Sequence, residues 1–323
     1  LTEIITQRLE LEKEEDSLYL LGRFDENIDL IERHFNVRVI PRGNELIVEG
    51  EKNEVSKLHL LFNALTGVVR KGHYISSRDF EYALAMARKG QAGKIGEIFS
   101  DVVLISRRGR QIRPKTLGQK KYLEAMRECD IVLSIGPAGT GKTYLALARA
   151  IDTLQNKVVE RIVLTRPAVE AGEHLGFLPG DFQEKVDPYL RPLYDGLFDL
   201  LGVDVFQKYK EKGIIEVAPL AYMRGRTLDD SFIILDEAQN ATPEQMKMFL
   251  TRLGFGSKAV ITGDITQVDL PKGRYSGLVQ ASEVLKGIEG IATIYLSEKD
   301  VVRHPLVQEI ITAYERYEER NNS

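Results

Sequence analysis

The chain has 323 residues, 43% of them hydrophobic and 28% charged, with a formal net charge of −4, which leaves room for one ordinary domain and a smaller second one. No run of about 18 uncharged apolar residues is present to span a bilayer, so no membrane partner is expected. The single Cys129 excludes an internal disulfide and no charged-then-apolar leader opens the chain, which together predict a cytoplasmic address; five scattered histidines offer no metal-ligand spacing.

Residues 1–16 close on the acidic run from Glu10 to Asp16, show no clear period, and read as an N-terminal extension. Residues 17–70 read as a small α+β unit. Leu18 to Leu21 suggests a strand, Phe24, Ile28, Ile31 and Phe35 recur at helical spacing, Val37–Ile40 and Leu46–Val48 form a hairpin around Arg42-Gly43-Asn44, and Val55, Leu58, Phe62 and Leu65 line a second helix. Residues 71–112 read as a connection. They hold a helix from about Arg78 to Lys89, with Ser76 and Asp79 placed as a capping box, and a hairpin whose first strand is Val102-Val103-Leu104-Ile105. Between Arg107 and Lys121 stand seven Lys or Arg and no acid.

From residue 113 to 323 apolar strand-like runs alternate with helical patterns, the mark of an α/β domain with a parallel sheet flanked by helices. Strands are expected near 131–135, 161–165, 214–218, 232–235, 259–262 and 293–296. Helices are expected at 142–154, at 181–201 with breaks at Pro188 and Pro192, and at 243–253, 276–285 and 305–317.

The apolar strand Ile131–Ile135 runs into Gly136-Pro137-Ala138-Gly139-Thr140-Gly141-Lys142-Thr143, a phosphate-binding loop between strand and helix. Its glycines let backbone N–H groups turn towards a phosphate, Lys142 reaches the β- and γ-phosphates of ATP, and the Thr143 hydroxyl can join the shell of Mg2+. Phe232-Ile233-Ile234-Leu235-Asp236-Glu237 sets two carboxylates at a strand exit: Asp236 to hold magnesium through water, Glu237 to polarise the water attacking the γ-phosphate. A third strand leads to Gly263-Asp264-Ile265-Thr266-Gln267, which makes Gln267 a γ-phosphate sensor.

The order Gln119, Gly136–Thr143, Asp236-Glu237-Ala238-Gln239, Gly263-Asp264 and Gln267 resembles superfamily 1 helicases. With Thr165-Arg166-Pro167-Ala168-Val169-Glu170, Gly176–Gly180, Tyr222–Thr227 and Asp300–Pro305, the chain resembles the PhoH-like family from about Leu18 to Tyr317. The resemblance implies a RecA-like P-loop NTPase core, magnesium-dependent ATP hydrolysis and a role in RNA metabolism. It also implies that Gln119 reads the adenine edge with Tyr122 near the base, though spacing alone equally allows an exposed first-turn glutamine. Arg166 matches a position that grips a nucleic-acid backbone; an ion pair with Glu170 or Glu173 is the alternative.

About 200 residues follow Arg113, space for one motor lobe where such helicases use two. A transition-state arginine is worth roughly 10³–10⁵ in rate. It is therefore expected in trans from a homo-oligomer, with Arg303, Arg224 and Arg226 as candidates.

Residues 18–67 follow the order of a K-homology domain, whose Gly-x-x-Gly loop clamps single-stranded RNA. Gly22-Arg23-Phe24-Asp25 takes that position with an acid in place of the second glycine. The unit either binds RNA through Arg23, Arg38 and Arg42 or serves assembly. Arg107, Arg108 and Arg110, in the basic segment, are the stronger electrostatic candidates for RNA, with a solvated face as the plain alternative. The leading reading is an ATP-hydrolysing RNA-remodelling or helicase-like protein, with ribosomal RNA processing within its range. The alternative is an ATP-switch adaptor that recruits RNA to an endoribonuclease partner. A small-molecule kinase fits less well, since Glu237 and Gln267 suit water activation.

Overall fold

The computed structural model describes residues 3–10, 20–22, 25–43, 45–167, 182–271 (backbone alone for 182–187), 273–302 and, within 306–317, positions 306–307, 309–310, 313–314 and 317. Two compact units emerge, one of residues 1–102 with 113–116 and one of residues 103–112 with 117–323.

In the first unit β1 (Ile4–Glu10), β2 (Val37–Arg42) and β3 (Glu45–Glu51) form an antiparallel sheet in the order β1-β3-β2. β1 corrects the expected extension, because it pairs with β3 along its whole length, from Ile4 opposite Glu51 to Glu10 opposite Glu45. Its inward positions are Ile5, Gln7 and Leu9. The polar Gln7, whose amide meets the His59 ring at 3.2 Å, interrupts the alternation that would have marked a strand. The strand expected at Leu18–Leu21 is also corrected: Leu20 and Leu21 are helical and buried, and residues 18–19 lie outside the described set. Helix Glu26–His34 follows, starting after Asp25 in a left-handed conformation (φ 59°).

Helix Lys52–Arg70 buries Val55, Leu58, Phe62 and Leu65, the stripe that the spacing predicts. Helix Ser77–Arg88 carries the expected capping box, with Ser76 N–H donating to Asp79 at 3.1 Å and Asp79 N–H to Ser76 Oγ at 3.3 Å. The segment read as a connection thus belongs largely to this unit, together with an unforeseen helix Ile95–Ser100. Arg113 ties it together. Its guanidinium pairs with Asp79 at 3.1 Å, donates to the Phe99 carbonyl at 3.0 Å and lies 5.3 Å from the Phe99 ring centre.

The second unit opens with a hairpin of β4 (Leu104–Ile105) and β5 (Gln111–Ile112). Its body is a six-stranded parallel sheet of β6 (Ile131–Ile135), β7 (Arg161–Arg166), β8 (Ile215–Pro219), β9 (Ser231–Leu235), β10 (Lys258–Gly263) and β11 (Ile291–Tyr295), ordered β11-β6-β10-β9-β7-β8. Successive side chains of a strand face opposite sides, and both sides are apolar here. Val132, Ile162, Leu164, Ile234 and Val260 pack under helices Leu117–Glu128, Lys142–Gln155, Phe182–Leu201 and Val203–Glu211. Leu133, Val163, Ile233, Leu235 and Ile261 pack under helices Pro243–Leu250 and Gly277–Val284.

Helix Phe182–Leu201 runs unbroken through Pro188 and Pro192, against expectation. Both prolines are exposed, while Leu190, Leu193, Leu197 and Leu200 form a buried stripe. Burying each such leucine contributes about 1.5–3 kcal/mol, enough to outweigh the two lost N–H bonds. Among the described residues no helix is long and apolar enough to cross a membrane.

Candidate active site

Ligands of open parallel sheets bind at the carboxyl ends of the strands, and there β6, β9 and β10 bring the predicted residues together. β6 delivers the phosphate loop. Gly139 (φ 85°) and Gly141 (φ 78°) occupy the left-handed region, and Gly141 caps helix Lys142–Gln155. This is the backbone a side chain would resist and an anion-cradling loop requires. Gly136 is glycine for another reason. Its N–H donates to Gly263 of β10 at 3.1 Å, and a Cβ there would stand 2.5 Å from the Leu296 carbonyl oxygen.

The Lys142 ammonium donates within the loop, to the carbonyls of Gly136 at 2.6 Å and Pro137 at 2.9 Å. The Thr140 hydroxyl, on a buried residue, also donates to the Pro137 carbonyl at 2.9 Å. Ala138 completes the loop in sequence.

From β9, Asp236 is buried and accepts two hydroxyls on one oxygen: Thr143 of the loop at 2.6 Å and Thr262 of β10 at 2.7 Å. Its own N–H donates to Thr165 of β7 at 2.9 Å. The first-turn threonine and the strand-end acid, 93 positions apart in the chain, therefore meet as a magnesium site would need. Glu237 follows in the left-handed region (φ 51°), which turns its side chain away from the line of β9. One carboxylate oxygen accepts from Gln239 at 2.6 Å and the other lies 3.5 Å from the Arg166 guanidinium.

Gln239 belongs to the quoted motif, yet the sequence assigned it no role. Its buried amide donates to Glu237 and, at 3.2 Å, to the Gln267 carbonyl, while its oxygen accepts the Asp264 N–H at 3.0 Å. Gln267 itself donates to Asp264 Oδ2 at 2.9 Å, and Asp264 Oδ1 accepts both the N–H and hydroxyl of Thr266. Glu237 and the turn bearing Gln267 are thus joined through one side chain. Thr262 and Asp264 likewise carry no assigned role in the sequence, since a threonine or an aspartate at a strand end is too common to single out.

Gln119 is not the exposed first-turn residue that spacing allowed. It is buried, with its amide on the Thr140 carbonyl at 3.0 Å. Tyr122 is fully buried and donates to the Lys142 carbonyl at 3.1 Å, so it braces the first turn after the loop; burial raises its phenol above the usual range. Beyond β11, Val302 N–H donates to Gly139 of the loop at 2.9 Å.

Of the expected nucleic-acid contacts, Arg107 and Arg108 are exposed, while Arg110 pairs with Asp199, which also accepts the Tyr144 hydroxyl at 2.8 Å. Arg166 donates to the Tyr189 carbonyl at 3.0 Å as well as facing Glu237. Arg226 grips both oxygens of Glu216 at 2.6 and 2.7 Å, and Arg224 is exposed. Arg23, Arg303, Glu170 and Glu173 lie outside the described residues.

Comparison with known proteins places these features in company. The model of a family described as "PhoH-like protein" matches residues 111–315. A PhoH-like protein of Bacillus subtilis (strain 168) is 53% identical over 313 residues, covering 97% of this chain and 98% of its own. Protein PhoH of Escherichia coli (strain K12) is 46% identical over 212 residues, 65% of this chain and 60% of its own. Among solved structures, a Pif1 helicase from Candida albicans overlaps 56% of this chain and 40% of its own at 16% identity, with a TM-score of 0.30, too slight a likeness to carry weight.

Proposed function

The chain belongs to the PhoH-like family and has the phosphate loop of a P-loop ATPase, and from that premise we propose that it binds ATP with magnesium, hydrolyses it and couples the cycle to RNA. The observation that carries the hydrolytic reading is the single Asp236 oxygen shared by Thr143 and Thr262, with Glu237 presented at the next residue. A hydroxyl and a carboxylate at this separation are hard oxygen donors that fit magnesium. That ion usually keeps several waters and shares phosphate oxygens, so two protein donors suit it. When bound, magnesium supplies charge neutralisation along the β- and γ-phosphates.

The chain's own groups divide the remaining work. Lys142 exchanges the Gly136 and Pro137 carbonyls for phosphate oxygens, and the N–H groups at the start of helix Lys142–Gln155 face the same anion. Glu237 accepts the proton of the attacking water, and Gln267 orients that water or senses the γ-phosphate. Gln119, fixed against Thr140, is the adenine-side residue. Arg303, one residue beyond the Val302 that is anchored on Gly139, is the arginine proposed to reach the site of a neighbouring copy in a homo-oligomer.

The RNA part of the reading rests on Arg107 and Arg108. Their hairpin is bonded through Arg107 N–H to the Leu200 carbonyl at 2.9 Å, and the Tyr144–Asp199 bond joins that helix to the one after the phosphate loop. A backbone phosphate held there would be mechanically near the nucleotide. One observation favours the adaptor alternative, in which ATP sets a shape that hands RNA to an endoribonuclease partner: Asp25 occupies the left-handed loop position suited to glycine and brings a negative charge where RNA phosphate would lie.

Steady-state phosphate release from ATP with magnesium, with and without single-stranded RNA over a protein-concentration series, decides between them. Turnover that rises with RNA and cooperatively with protein supports the oligomeric remodelling enzyme. A slow rate indifferent to both refutes it in favour of the adaptor.

A further inference from the structure

The contact between Arg166 and Glu237 has no part in the hydrolysis just described. Glu237 is held on two sides, and the two holds differ in kind. Gln239 is neutral, buried and fixed by three hydrogen bonds. Arg166 is charged, its side chain is 21% exposed beside a 37% exposed Glu237, and the contact is a single one at 3.5 Å, longer than a good ionic hydrogen bond. Its other terminal nitrogen is anchored on the Tyr189 carbonyl, so the guanidinium is a stationed group and not a free surface charge.

We propose that Arg166 is a releasable hold on the general base, keeping the Glu237 carboxylate turned from the attacking water until a phosphate oxyanion takes the guanidinium. The proposal rests on the ATPase reading above and, in its RNA arm, on the RNA reading.

Three physical points support it. A general base must come within hydrogen-bond reach of the proton it takes, and the direction of the Glu237 carboxylate is set by Gln239 on one oxygen and Arg166 on the other. Guanidinium binds phosphate bidentately and more strongly than it binds a carboxylate through one long contact, so phosphate displaces Glu237 and not the reverse. Ion pairs of this exposure are weak, which suits a contact made and broken in each cycle. Arg166 is therefore a positioning residue that acts through Glu237. The oxyanion has two sources, the γ-phosphate of ATP and the RNA backbone. At saturating ATP a γ-phosphate that took the guanidinium would already have released Glu237, so a rise in RNA-free kcat on removing Arg166 assigns the release to RNA.

The test compares wild type, Arg166→Met, which keeps the stem packed, and Arg166→Lys, which keeps the charge. Phosphate release is followed at saturating magnesium-ATP with and without a 20-nucleotide single-stranded RNA, whose binding is followed separately by fluorescence anisotropy. Arg166→Met should raise the RNA-free kcat about two- to fivefold, the size of a weak ion pair, with KM for ATP unchanged. RNA should then add no further acceleration although it still binds, and Arg166→Lys should restore part of the restraint. A plain loss of structure would lower kcat, and would not abolish RNA dependence while raising the basal rate.

An RNA-free kcat at or below wild type in Arg166→Met, in folded protein by circular dichroism, overturns the proposal. If RNA neither binds nor stimulates wild type, the RNA reading fails by itself. The hold is then still judged by the RNA-free rate; a rise there keeps the restraint but, because ATP is already bound, shows that the γ-phosphate does not release it and overturns the release step.

Discussion

Gln239→Ala tests whether the site is a connected network or a set of independent side chains. The substitution removes two donor bonds and one acceptor bond, at 2.6, 3.2 and 3.0 Å. A neutral bond is worth about 0.5–1.5 kcal/mol net and one to a charged group about 1.5–3, while the buried Asp264 N–H left unsatisfied costs about 1–3. Because these contributions overlap, the expected loss of stability is about 3 kcal/mol, read from the urea midpoint at unchanged m-value. Catalysis should suffer separately. Glu237 and the Gln267 turn lose their shared tether, and misplacement of a reacting group by about 1 Å costs up to 10²-fold, so kcat should fall about 10- to 100-fold. Lys142 and the loop are untouched, so KM for ATP should stay within about twofold. Gln239→Glu should be worse than Gln239→Ala, since it sets a second carboxylate against Glu237. A Gln239→Ala enzyme with wild-type kcat and less than about 1 kcal/mol of destabilisation would refute the tether.

Glu237→Gln should bind nucleotide normally yet turn over about 10²–10⁴-fold more slowly, giving a stable ATP complex in single-turnover assays with labelled nucleotide. Lys142→Ala should abolish the rise in Tm that ATP and magnesium produce in the wild type, while leaving the ligand-free Tm close to wild type. Gly136→Ala should destabilise by about 1–3 kcal/mol, because its Cβ would meet the Leu296 backbone at 2.5 Å and the loop must shift; chemical denaturation reads this directly. Burial raises the phenols of Tyr122 and Tyr144 above their ordinary value of 10.0, aided at Tyr144 by the bond to Asp199. The folded state then holds protons that the unfolded chain releases, so stability should fall as pH rises above about 10. Tyr122→Phe should flatten that fall in pH-dependent urea unfolding.

The parallel sheet was legible because its strands are buried on both faces and read as unbroken apolar runs between helical patterns. β6 has the boundaries the sequence assigns, and β7 to β11 differ by one or two residues at their ends. Legibility failed where tertiary context outweighed local pattern. β1 carries Gln7 on its inward face, and helix Phe182–Leu201 keeps its prolines on the solvent side. Within the site, Lys142, Thr143, Asp236 and Glu237 stand at fixed offsets from a strand end, which a sequence displays. The bonds of Gln239 and Thr262 depend on β10 lying beside β9, and strand order is not written in local residue spacing. Arg113 shows the converse hazard. It sits in the most basic stretch of the chain, yet its charge is consumed by Asp79 and the Phe99 ring.

The two strand-end carboxylates also differ in how they can respond to a ligand. Asp236 is held by hydroxyls, which donate or accept by rotation and so can pass one carboxylate oxygen to a metal's water without moving any backbone. Glu237 is held by an amide and a guanidinium, both donors only towards it, and can be freed only if a partner leaves. Through Thr262 the first acid reports to β10, and through Gln239 the second reports to the turn that follows the same strand. A change at either carboxylate therefore arrives at the Gly263–Gln267 segment. Thr262→Val separates the two routes. It removes the β10 hydroxyl on Asp236 while leaving the Gln239 bonds intact, so it should weaken the magnesium dependence of nucleotide binding and spare the Glu237-dependent step once magnesium is saturating. Titrating magnesium at fixed ATP measures this, and a kcat lowered at saturating magnesium with unchanged metal dependence would show that both routes run through one element.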